Sequence, residues 1–259
     1  MKVVNSILTK NPCYKAGKTI KVKGLMLHSV GCSQPNAGVF IKLWNDASYN
    51  RACVHAFIDA KTGDVHQCLP WNYRGWHGGG TSNNTHIGVE MCEPDCIKYT
   101  SGSKFTMNNK EKAQEMVKRT YESAVELFAM LCKQYNLNPL TDIVSHSEGH
   151  KLGISSNHTD PEHLWKGVGL PYTMDTFRKD VKSSMGENKT SEENIKKPSS
   201  YLVRVTASAL NVRKGAGTNY SVTTKIYKGQ VYTIVDEVNG WGKLKSGAGW
   251  ISLKYTAKV

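Results

Sequence analysis

Residues 146–165 read His-Ser-Glu-Gly-His-Lys-Leu-Gly-Ile-Ser-Ser-Asn-His-Thr-Asp-Pro-Glu-His-Leu-Trp, four histidines and three acids within twenty residues. The Gly, Ser and Asn around them predict a loop leaving a short strand, 143–145, and a loop can wrap its side chains around a small cation. Zinc takes imidazole nitrogen, thiolate sulfur or carboxylate oxygen, and a catalytic site keeps three protein ligands and one water. The segment offers two of the three, His146 and either His158 or Asp160. His28 is the best third ligand: it ends the apolar run Leu25-Met26-Leu27, which reads as a buried strand with a polar tip. The competing reading is a polar surface loop whose histidines bind nothing, since no tight zinc pattern such as His-Glu-x-x-His is present.

Working outward, all nine histidines precede residue 164, which separates a histidine-bearing catalytic candidate from a histidine-free tail. Asn36 is placed to cap a helix carrying Phe40, Ile41 and Trp44 on one side. Residues 53–59 and 65–69 read as a hairpin across the turn Lys61-Thr62-Gly63-Asp64. Its His55 and His66, taken singly, suit structural roles better than functional ones. The loop 71–80, Trp-Asn-Tyr-Arg-Gly-Trp-His-Gly-Gly-Gly, joins aromatic faces that stack on sugars to glycines that admit a ligand near the backbone. Trp76 and His77 are therefore substrate-binding candidates, and His55 is carried with them. Residues 86–91 form the next strand, in which Glu90 interrupts apolar residues; beside a metal-activated water it would serve as general base. A polar loop is expected at 93–106. A long helix follows at 109–135, with Ala113, Val117, Tyr121, Ala124, Phe128, Leu131 and Tyr135 on its covered face, and a short last helix at 173–184.

The formal net charge is +13 over 259 residues, and residues 200–259 hold nine basic and two acidic side chains. A basic surface suits a polyanion, whether nucleic acid, anionic lipid or a charged cell wall. Charge alone would allow a nucleic-acid binder, but that reading leaves the histidines unexplained. No apolar run approaches the ~20 residues of a membrane span, and the first ten residues lack the apolar core of a signal peptide. The seven cysteines are an odd, scattered set, expected to be reduced thiols. Residues 183–199 are polar and charged and read as a linker. Beyond them, short β-rich runs at 201–205, 210–212, 223–227, 231–235, 242–244 and 249–253 predict a small all-β barrel. Tyr220 and Trp241 are its exposed binding candidates.

The strand-end His28, the hairpin around His55, the Trp76-His77-Gly78 loop, the strand Ile87-Gly88-Val89-Glu90 and the segment from His146 to Pro161 together resemble the amidase-2 type zinc N-acetylmuramoyl-L-alanine amidases, relatives of the peptidoglycan recognition proteins. The resemblance spans about residues 20–165 and implies an α/β fold, a central mixed sheet flanked by helices. It implies Zn2+ on His28, His146 and Asp160, with Glu90 as catalytic acid or base. His158 falls where the family often has a Lys that steadies the oxyanion. The gap between His146 and Asp160 is longer than the family's, and Thr-Asp-Pro favours Asp160 over His158 as ligand. In the tail, Ala209-Leu210-Asn211-Val212-Arg213, Asn239-Gly240-Trp241-Gly242-Lys243 and Gly249-Trp250-Ile251 resemble bacterial SH3-like wall-binding domains. The expected division is a catalytic domain at 1–182, the linker at 183–199 and the SH3-like domain at 200–259.

The implied partner is peptidoglycan, with neither nucleic acid nor membrane, and a monomer is expected. With no export signal, the enzyme is expected to be made in the cytoplasm and to meet the wall after the membrane fails, as a phage endolysin or an autolysin would. The rivals are a recognition protein that binds peptidoglycan without cutting it, and a wall peptidase that cuts another amide bond.

Overall fold

The computed structural model describes residues 1–186, 200–218, 220–238 and 240–259. The chain divides into two compact units, Met1–Lys189 and Thr190–Val259. Most of the expected linker, from residue 187 on, lies outside the described residues; its first four residues instead finish a helix.

The first unit is built on a six-stranded mixed sheet. In chain order its strands are β1 (Val3–Asn5), β2 (Gly24–Ser29), β3 (Ala56–Ile58), β4 (Val65–Gln67), β5 (His86–Met91) and, after a separate hairpin, β8 (Ile143–Ser145). They lie in the order β1-β4-β3-β5-β2-β8, with only the β3–β4 pair antiparallel. The middle strands are covered on both faces, as parallel strands usually are. Alternation assigns those faces. Leu25, Leu27, Val89, Met91, Ala56 and Ile58 enter one core with helix α3 (Lys110–Tyr135). Met26, His28, Gly88, Glu90 and Phe57 take the intervening positions and so point to the opposite face. Asn109 caps α3 by accepting from the Lys112 N–H, and Asn136 ends it in the left-handed region at φ 54°. Helix α6 (Met174–Gly186) packs on α3 through Phe177, which meets Tyr121 and Phe128 edge-on.

Helices α1 (Pro12–Ala16) and α2 (Ala37–Trp44) belong with the second face, where Trp44 and Phe57 share a core. Asn36 caps α2 as expected, accepting from the Gly38 N–H at 2.8 Å.

Two expected loops carry secondary structure. Residues 93–106 contain a hairpin of β6 (Ile97–Ser101) and β7 (Lys104–Met107), an alternating pair that the polar composition concealed. Residues 146–165 hold α4 (His146–Lys151) and α5 (Glu162–Gly167). A capping box starts α4: the Glu148 N–H donates to Ser145 Oγ, and the Ser145 N–H donates back to the Glu148 carboxylate. The Ser145-x-x-Glu148 spacing was readable in the sequence. All seven cysteines are free thiols.

The second unit is a seven-stranded antiparallel sheet. Its strands are β9 (Tyr201–Val205), β10 (Ala209–Arg213), β11 (Val222–Tyr227), β12 (Val231–Val238), β13 (Trp241–Leu244), β14 (Trp250–Ser252) and β15 (Thr256–Lys258). Val203, Val205, Leu210, Val212, Ile226, Ile234, Leu244 and Ile251 form its own core.

Candidate metal centre and active site

His28 stands near the C-terminal end of β2, His146 is the first residue of α4, and Asp160 lies two residues before α5. The packing that fixes them is polar and specific. Arg178 of α6 grips Glu148 with both terminal guanidinium nitrogens, at 2.8 and 2.9 Å, and also donates to the Ile143 carbonyl. Ser145 Oγ donates to Glu162 at 2.7 Å, which ties the start of α4 to the start of α5. His146 and Asp160 are thereby held against the strand that carries His28.

The three side chains converge. His28 Nδ1 lies 3.1 Å from His146 Nδ1 and 3.2 Å from Asp160 Oδ2, and His146 Nδ1 lies 3.5 Å from Asp160 Oδ1. All three residues are buried. The far nitrogens decide which proton each ring carries. The His86 carbonyl can only accept, so His77 Nε2, 3.1 Å away, carries the hydrogen there. His77 Nδ1 then accepts from His28 Nε2 at 3.1 Å. In the same way Ser156 Oγ donates to the Gly78 carbonyl at 3.3 Å and accepts from His146 Nε2 at 3.1 Å. Both neutral rings therefore aim an Nδ1 lone pair at the same point as the Asp160 carboxylate. Two lone pairs and an anion facing one another at this range repel unless a cation lies between them. Their separations of 3.1, 3.2 and 3.5 Å lie close to the edges of a tetrahedron with zinc bonds of ~2.0–2.2 Å, roughly 3.3–3.6 Å. The donor set thus fits a divalent metal. Among the described residues it is the one cluster of this kind.

The electrostatics agree. Burial pushes the His28 pKa down, which favours the neutral ligand form. Glu90 pairs with His28 in register on β5 and β2. Its Oε2 is buried without a hydrogen-bond partner. Burial first, then the charges of Asp160 and Glu93, raise its pKa well above normal. His158 stacks flat on His146 with centroids 4.4 Å apart, and its side chain is 60% exposed, so it stands at the mouth of the cluster. Its Nδ1 is 3.8 Å from Asp160 Oδ1 and outside the converging set.

Two substrate-binding expectations are corrected. His55 is fully buried. Its Nε2 donates to the Tyr73 carbonyl at 2.8 Å and its Nδ1 accepts the Gly88 N–H at 3.0 Å, so it is a satisfied core residue out of a ligand's reach. His77 spends both ring nitrogens on His28 and His86 and lies behind the cluster. The glycine at 88 exists for it: a Cβ there would sit 2.3 Å from the His77 ring. Trp76 next to it is 44% exposed and remains available to a ligand. Sequence reasoning also missed Ser156, Glu93, Tyr99 and His163, whose partners are distant in the chain. In the second unit, Trp241 lines a groove of about 460 Å³ with Tyr255, Arg213 and Lys254, whereas Tyr220 is exposed and not part of its lining.

The N-acetylmuramoyl-L-alanine amidase family matches residues 18–163, and the bacterial SH3 domain family matches residues 208–257. No curated protein matches the chain. Among solved structures, the Staphylococcus aureus hydrolase AmiA in complex with its ligand is 18% identical with a TM-score of 0.54, over 71% of this chain and 83% of that one. A mutant endolysin from Bacillus subtilis is 19% identical with a TM-score of 0.47, over 70% and 99%. The first likeness supports the fold, and the family match, covering more than half of the chain, supports more: the chain belongs to the N-acetylmuramoyl-L-alanine amidase family and is a peptidoglycan amidase with a bacterial SH3 domain after its catalytic part.

Proposed function

We propose that the first unit hydrolyses the amide between the lactyl group of N-acetylmuramic acid and L-alanine with a zinc ion held by His28 Nδ1, His146 Nδ1 and the Asp160 carboxylate. The observation that carries this reading is the convergence of these atoms at 3.1–3.5 Å, with each ring's far nitrogen already committed elsewhere. Bound zinc supplies Lewis acidity, which lowers a water's pKa toward about 7 and polarises a carbonyl.

The remaining steps belong to the chain's own residues. Glu90, with a buried unpaired oxygen, takes the water's proton at its carboxylate and delivers it to the departing alanine nitrogen. His158, exposed beside His146, donates an N–H to the oxyanion that forms on the lactyl carbonyl. Trp76 offers an exposed indole face to the glycan or peptide. His77 and Ser156 hold the two ligand rings in the tautomer that leaves Nδ1 free, a role in which loss typically costs roughly 10–100-fold in metal affinity or activity.

The second unit holds the enzyme at its substrate by binding the wall, which raises local concentration. Its groove joins two aromatic rings to two cations, Arg213 and Lys254. No described helix is long and apolar enough to cross a membrane, and the cell wall is the place of action this reading implies.

The test is the zinc content of the purified protein together with its action on isolated Gram-positive walls. One zinc per chain and release of intact stem peptides with a free alanine amine are expected. Shortened stems would point to a peptidase, and walls bound but never cut would point to a recognition protein.

A further inference from the structure

Glu93 is fully buried, yet the proposed reaction has no use for it. Its Oε1 accepts the Gly31 N–H at 3.0 Å, and its Oε2 accepts the Tyr99 hydroxyl at 2.7 Å. The same hydroxyl lies 2.7 Å from His163 Nε2. A phenol has one proton, so with that proton on Glu93 the imidazole must donate Nε2–H to the phenolic oxygen. The chain Gly31–Glu93–Tyr99–His163 is thus continuous.

Its placement is regular. Gly31 follows His28 by three residues, Glu93 follows Glu90 by three, and His163 follows Asp160 by three. Each end of the chain therefore grips the segment that leaves a proposed ligand, and its centre grips the segment that leaves the proposed base. Tyr99 comes from the β6–β7 hairpin and packs edge-on against Phe105 of the same hairpin at 5.4 Å. That hairpin is paired to no strand of the main sheet. The chain supplies what the hairpin needs to bear on the site.

We infer that Glu93, Tyr99 and His163 are positioning residues, a part-buried hydrogen-bonded brace that sets the spacing of His28, Glu90 and Asp160 and so tunes metal affinity and turnover together. The inference rests on the zinc amidase reading above. It predicts that breaking the brace loosens the metal without touching substrate binding, because none of the three residues is among the groups assigned to the substrate.

The experiment compares full-length wild type with Tyr99→Phe, His163→Leu and His163→Gln. Zinc affinity is read by competition with a chromophoric chelator, kcat and KM on purified wall fragments, and the melting temperature on zinc-free protein. Tyr99→Phe keeps the ring and deletes the hydroxyl; it is expected to weaken zinc binding roughly 10–100-fold and lower kcat to a similar extent with KM within about twofold. His163→Leu should behave alike. His163→Gln returns an N–H donor to the Tyr99 oxygen and should recover most of the loss. Variants that melt earlier but keep wild-type zinc affinity and kcat would overturn the brace, as would a Gln no better than Leu. Should Tyr99→Phe not fold, the two His163 variants decide the matter alone. Wild type that takes up no zinc would overturn the zinc reading and the brace with it, whereas a zinc-loaded wild type with unaffected variants overturns the brace only.

Discussion

Two kinds of buried histidine lie close together in the first unit, and they do opposite things with their nitrogens. His55 has a partner at each nitrogen, the Tyr73 carbonyl and the Gly88 N–H, at 2.8 and 3.0 Å. His28 and His146 have a hydrogen-bonding partner only at Nε2, and at Nδ1 they face each other and a carboxylate. Burial is the same in kind, and burial depresses the pKa of both His55 and His28. The direction of the lone pairs separates a core residue from a metal ligand. His77 stands between the groups, using both nitrogens as His55 does but spending one of them on His28.

The sharpest way to break the contrast is to remove one converging atom. His28→Ala should abolish zinc binding and lower activity by at least about 10⁴-fold, since the metal's contribution to the transition state disappears as a whole. Atomic absorption and wall clearing read the two losses. A variant that keeps its zinc would place the metal elsewhere. Glu90→Gln comes next. It should retain zinc, because Glu90 is outside the converging set, and lose about 10³-fold in kcat as a general base does. Full activity with zinc bound would remove Glu90 from the chemistry.

His158→Ala should cost less, about 10²-fold in kcat with unchanged zinc content. Its ring is 60% exposed, so water partly replaces the lost donor. His158→Lys should restore much of the loss, since an ammonium is a donor of the same kind. Loss of zinc in His158→Ala would instead make it a fourth ligand.

The parts of this site that were legible in the sequence are those whose signal is local. His28 and Glu90 are polar residues set into apolar strands, and Asn36 announces a helix by ordinary capping chemistry. Spacing alone could not choose between His158 and Asp160, and only the Thr-Asp-Pro match favoured the carboxylate; in the structure the Asp160 oxygens converge with the rings while His158 stacks outside them. The hairpin already favoured a structural role for His55, but the way His55 and His77 spend their nitrogens was not legible, because their partners are backbone groups of residues 73, 86 and 88 and the His28 ring, whose positions no local pattern encodes. Glycines beside Trp76 and His77 suggested room for a ligand, whereas Gly88, on a different strand, makes room for the His77 ring itself. The hairpin at 97–107 was hidden by its polar face, and with it the brace through Tyr99.

The comparison can be sharpened last by a substitution expected to leave catalysis alone. Burial lowers the His55 pKa from 6.5 to about 4, against smaller opposing effects of its bonds to Tyr73 and Gly88. In the unfolded chain a histidine binds its proton below about 6.5. Between those values the unfolded state holds a proton that the folded state refuses, so stability rises with pH across the window and is lost as pH falls from about 6.5 to about 4. Below the lower value both states are protonated and the loss levels off at about 3 kcal/mol from this group. His55→Gln keeps one donor and one acceptor for Tyr73 and Gly88 but does not titrate. Denaturant unfolding of zinc-free wild type and variant should therefore diverge toward neutral pH, with the wild type gaining more, while kcat of the zinc-loaded forms stays together. Taking the difference between the two proteins cancels the titration of every other group, which they share. Parallel stability curves would mean that His55 is not held neutral, and the division between satisfied and converging histidines would fail at its clearest member.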